Sequence, residues 1–152
     1  MILARDGAIR VRLSAAEVHL LSSLPAMLDD VGTDPLDPAG PRLNQSAYPD
    51  DPMASAEFEV SHTAALGAVR AADRETFAAT VAGSATGVDL SEAEAESWMR
   101  VIGDARLALA ARLGIEDDRW ERESADEPQM LMVHYLTHLQ DGLIEALSEL
   151  ME

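Results

Sequence analysis

The chain has 152 residues, 47% of them apolar, and a formal net charge of −17 in which all 11 basic residues are arginine. One domain of this size buries roughly two thirds of its unfolded surface, and the apolar content argues against wholesale disorder. A field of this sign repels phosphate backbones and anionic lipid, which disfavours direct nucleic-acid or membrane-surface binding; the absence of cysteine removes disulfides, thiolate metal sites and thiol redox switches.

In chain order, residues 1–13 read as a β-hairpin. Ile2-Leu3 and Ile9–Leu13 flank Asp6-Gly7, a strong short turn signal, and Ile9, Val11 and Leu13 alternate with Arg10 and Arg12. No apolar run reaches signal-peptide or membrane-span length, so a cytoplasmic location is expected. A lone hairpin is marginal in water, and Val88–Leu90 is the segment available as a third strand.

Ser14 and Glu17 form a capping box that opens a helix over 14–31, with Val18, Leu21, Leu24, Leu28 and Val31 on one face. Pro25 lies inside that pattern and predicts a kink or break. His19, beside the stripe, reads as an ordinary satisfied or exposed histidine. Residues 32–52, with Pro35, Pro38, Pro41, Pro49 and Pro52, read as a long loop. Residues 53–82 return to helix, in two pieces that break near Ser61–Thr63. Gly83–Gly87 is a turn; it lacks the Gly-Lys-Ser/Thr of a phosphate loop.

The central element is Leu90–Ile115. Ser91 and Glu94 make a second capping box, and Gly114 is a left-handed terminator. Trp98, Ile102, Ala105, Leu109 and Leu113 form one stripe. Met99, Leu107 and Ala110 lie off it, so the second half of the helix over 91–114 is apolar nearly all round and needs cover on several sides. Residues 115–127 read as an acidic linker. Pro128 then starts a helix over 128–150, along which Met132, Leu136, Leu139, Leu143, Ala146 and Leu150 form a heptad-like seam that faces either the core or a second copy. The fold class expected is mainly α (α+β): a helical bundle around the central helix, with a small hairpin or three-stranded sheet.

Chemistry-bearing constellations are few. His134 and His138 lie four apart with Asp141 one turn on, a spacing that can share a metal. Tyr135, however, stands where the zinc-peptidase pattern needs glutamate. No nucleophile elbow or dinucleotide fingerprint occurs, so neither an enzyme nor a cofactor is expected. Arg100, Asp104 and Arg106 form the most informative polar group: Arg100 and Asp104 can pair at i,i+4 and, part-buried with partners from the proline-rich loop, would fix how that loop and the helices dock.

Several motifs then align with one family. Arg42-Leu43, Ala47-Tyr48-x-Asp50-Asp51 and Ala56-Glu57-Phe58 are followed by Leu90-Ser91, Trp98, Asp104-x-Arg106-Leu107-Ala108-Leu109 and Leu136-x-x-Leu139-Gln140-x-x-Leu143. Together they resemble an actinobacterial family once described only as a domain of unknown function and now as AosR-like, after a regulator of the oxidative-stress response. The chain departs at Gly103, where the family has asparagine, and at Ala105 and Ala110. It also lacks the cysteine pair through which the described regulator senses oxidants. The resemblance implies a stress-linked transcriptional regulator that binds proteins, either a sigma factor or other transcription component or a Clp-linked proteolysis component. A homodimer is expected, with Arg42, Tyr48, Asp50, Asp51, Phe58, Trp98, Asp104, Arg106, Leu139 and Gln140 as motif or docking residues. The competing readings are a metal protein or metal-dependent enzyme at His134 and His138, and a self-associating scaffold.

Overall fold

A computed structural model describes residues 1–43, 52–114 and 128–151, with the backbone alone described over 52–66 and 128–129. Strands β1 (Ile2–Arg5), β2 (Ala8–Val11) and β3 (Val88–Leu90) make an antiparallel sheet in the order β1-β2-β3. The hairpin turn places Asp6 at φ 51° and Gly7 at φ 81°, the left-handed pair that a two-residue turn of matching twist requires. Alternation along β2 is realised. Ile9 and Val11 are fully buried, with Ile9 opposite the equally buried Leu90, while Arg10 on the other face forks onto its cross-strand partner Asp89 at 2.7 and 2.9 Å.

Pro25 breaks the first helical stretch, as its missing N–H predicts. Helix α1 covers Ala15–Ser22 and α2 covers Leu24–Asp29, with Pro25 in the first turn of α2. Both capping boxes are present. Ser14 Oγ accepts from Glu17 N at 3.1 Å, and Ser91 Oγ accepts from Glu94 N at 3.1 Å, each with the reciprocal carboxylate bond. The stretch 32–52 is not all loop, since α3 (Ala39–Leu43) forms within it. Asp37 starts that helix: its Oδ1 accepts from Ala39 N at 3.0 Å while the carboxylate takes a fork from Arg112. The Arg112 guanidinium and the Ala39 amide hold the Asp37 carboxyl at about 2.

The expected break near Ser61–Thr63 is also absent: α4 runs unbroken over Pro52–Val81. Three residues of middling propensity cost on the order of 2 kcal/mol against alanine, and the alanine-rich flanks carry the helix through. A 3₁₀ turn (Ala82–Ala85) leads to β3; α5 covers Glu92–Arg112, ending at Gly114 with φ 74°; and α6 covers Pro128–Leu150. The acidic stretch 115–127 and the motif residues Tyr48, Asp50 and Asp51 lie outside the described residues.

Helix α5 is the element onto which α2, α3, α4, α6 and strands β2 and β3 pack. Leu136, Leu139, Leu143 and Ala146 of the α6 seam are buried in the same core, so the seam is spent inside this chain. Gly142 lets the sheet close on α6: a Cβ there would meet Ile2 Cδ1 at 3.4 Å. At the centre, Trp98 is fully buried, its ring 4.8 Å from that of Phe77 at a tilt of 60°, and its Nε1 donates to Thr80 Oγ1 at 2.7 Å. Thr80→Val should strand that donor in the core and cost about 1–3 kcal/mol in urea denaturation, whereas Thr80→Ser, which keeps the acceptor, should cost less.

Candidate functional site

Helices α4, α5 and α6 leave a cleft of about 330 Å³ between them. Its apolar walls are Val69, Met99 and Leu107; its polar groups come from Arg70 and Asp73 on α4, Arg100, Asp104 and Arg106 on α5, and Gln140 on α6. Gly103 makes the close approach of α6 possible. A Cβ on it would stand 2.9 Å from Gln140 Nε2, which donates to Met99 O at 3.3 Å.

The expected Arg100–Asp104 pair does not form. Arg100 reaches across to α4 and forks onto Asp73, Nε to Oδ2 at 2.8 Å and Nη2 to Oδ1 at 2.9 Å, while Ser97 Oγ donates to Oδ1 at 2.9 Å. Asp73 is only 5% exposed. Burial pushes its carboxyl up, but the bonds from Arg100 and Ser97 outweigh this and hold it below the usual range. Asp104 instead faces Arg70, whose Nε lies 3.6 Å from Oδ2 and whose Nη2 donates to Leu43 O at 2.7 Å. Through Arg70, therefore, α5 is linked to the end of α3. Asp104 has the opposite balance to Asp73: burial raises its carboxyl, and the looser attraction of Arg70 and Arg74 does not offset this.

Of the residues expected at a site, Asp104, Arg106 and Gln140 meet at this cleft. Trp98 and Leu139 are buried core residues and Arg42 is exposed on α3. Phe58 lies on the part of α4 whose backbone alone is described. Arg70 and Asp73 belong to no sequence motif; the signal the sequence carries for this wall is Arg70 and Arg74, one turn apart on α4. His134 is part-buried, whereas His138 and Asp141 are exposed. Among the described residues no group of three or more histidines and carboxylates could hold a metal ion, and no helix is long and apolar enough to cross a membrane.

Asp73→Asn should lower stability by about 1–2 kcal/mol, the charged-bond value discounted because Arg100 is half exposed. Asp104→Asn should leave stability at neutral pH unchanged or raised. The signs differ with pH as well. The contribution of Asp73 is present above the ordinary carboxylate range and lost as pH falls through its lowered value. Folding favours protonated Asp104, so any advantage of Asp104→Asn should fade as pH falls through its raised value towards the ordinary carboxylate range. Urea denaturation of both variants from neutral pH to below the ordinary carboxylate range checks this.

Residues 2–147 match the family model described as a domain of unknown function, DUF2017, and the chain belongs to that family. No curated protein and no solved structure matches it.

Proposed function

We propose that this member of the DUF2017 family is a non-enzymatic regulator that acts by binding other proteins, with the outer face of α6 as its docking surface. The reading rests on that face. Leu131 near the start of the helix and Ile144 near its end stand 55% and 45% exposed, and the exposed carboxylates of Asp141, Glu145 and Glu149 lie along the end that carries Ile144. Apolar anchors with an acidic surround complement a basic protein patch. The lack of a nucleophile elbow or dinucleotide fingerprint in the sequence supports the non-enzymatic part.

The resemblance to AosR-like regulators supports a stress-linked transcription component, such as a sigma factor, as partner, with a Clp-linked component as the other possibility. The input would differ from that of the described regulator, because this chain has no cysteine to oxidise. A homodimer in this reading would use exposed side chains, since the α6 seam is filled from within. Calorimetry of the purified chain with the stress sigma factor of the same genome should give micromolar or tighter binding. Added salt should weaken it, and Glu145→Arg should weaken it about tenfold, equivalent to about 1.4 kcal/mol. Nanomolar, salt-sensitive affinity for duplex DNA with no binding to the sigma factor would overturn the proposal.

A further inference from the structure

The cleft between α4, α5 and α6 has features that internal bracing does not use up. Its volume of about 330 Å³ lies at the lower end of the roughly 300–1,000 Å³ typical of small-molecule sites. Val69 is 48% exposed, although it lines a concave surface together with Met99 and Leu107. Of the three arginines lining the cleft, Arg70 and Arg100 each face a carboxylate. Arg106 is part-buried and has none within 4 Å among the described residues. In a chain of net charge −17, a cation so placed has abundant potential partners, yet no described residue supplies one.

We infer that this cleft binds a small apolar carboxylate, with the hydrocarbon against Val69, Met99 and Leu107 and the carboxylate forked by Arg106. A guanidinium presents two parallel N–H donors that match one carboxylate. Gln140 offers a second amide donor at the same wall, since the geometry accounts for only one bond, to Met99 O. A single negative charge suits the site better than a phosphate dianion, because Asp73 and Asp104 also line it and would repel the second charge. An apolar cation would face three arginines. In a regulator, occupancy of this cleft could supply the input that cysteine does not; the binding itself does not depend on that role.

Octanoate is a suitable probe, read on the full chain by methyl NMR. It should shift the Met99, Val69 and Leu107 methyls saturably and together, and octylamine should bind at least tenfold more weakly. Arg106→Gln removes a side chain with no ion pair among the described residues, so the fold should be retained by circular dichroism while octanoate affinity falls about tenfold. Gly103→Ala, which would press on the Gln140 amide, gives an independent perturbation and should also weaken binding. No saturating shift at millimolar octanoate, equal binding of octylamine, or unchanged affinity in Arg106→Gln would each overturn the inference. Loss of sigma-factor binding would leave it standing.

Discussion

A helix that is apolar round most of its circumference has to be covered on every side before any part of it is stable, and α5 sets that requirement for the whole chain. Trp98, Ile102, Ala105 and Ala108 are fully buried, and no single neighbour could cover them. The sheet covers the start of the helix through Leu90 and Ile9, α4 and α6 flank it, and α2 and α3 close the remaining arc. With only two residues each of Phe, Trp and Tyr, the core is made of aliphatic side chains. Among the described residues its one aromatic ring contact, Phe77 on Trp98, sits where α4 and α5 cross.

Covering α5 apolar-side in is not enough to set how far each neighbour slides along it. That job falls to polar bonds between elements. Trp98 to Thr80 and Arg100 to Asp73 pin α4 at two points two residues apart on α5 and seven residues apart on α4. Tyr135 donates to Glu17 at 2.7 Å, and Glu17 is also the capping carboxylate of α1, so one side chain both ends α1 and ties it to α6. Burial and the neighbouring Glu17 carboxylate push the Tyr135 hydroxyl upward, which keeps it a donor.

What was legible in the sequence was what depends on neighbours in sequence. The two capping boxes, the Asp6-Gly7 turn, the alternation of β2, the Pro25 break and the Gly114 stop are all set within a few residues, and each is realised. Even α3 had a local signal, Asp37-Pro38, of the same kind as the proline start of α6. It was outweighed by the density of proline around it. The Arg100 pairing was not legible, because a periodicity of four suggests Asp104 while the actual partner lies 27 residues away on another helix. Spacing along one helix shows which side chains can meet there; it carries no information about a better partner that packing brings up from elsewhere. The cleft was half legible for the same reason: Asp104, Arg106 and Gln140 belong to recognised motifs, and the α4 wall does not.

The use of arginine alone as the basic residue fits this architecture. With 28 acidic side chains against 11 arginines, each cation is scarce, and a flexible lysine would find a carboxylate almost anywhere. The planar fork of arginine demands a particular geometry. Arg10, Arg100 and Arg112 each make two bonds to one carboxylate and join, respectively, β2 to β3, α5 to α4, and α5 to the start of α3. Arg74 reaches Asp29 on α2 at 2.7 Å. Exposed pairs of this kind add little stability one by one, but each penalises a misplaced neighbour, which is what a core of interchangeable aliphatic side chains lacks. Arg106 departs from the pattern. It stands on the central helix, in a concave and largely apolar setting, and forms no ion pair with another described residue. The other cleft arginines are committed to joining elements, so under the proposed reading Arg106 is the side chain left to meet a ligand rather than a neighbouring helix.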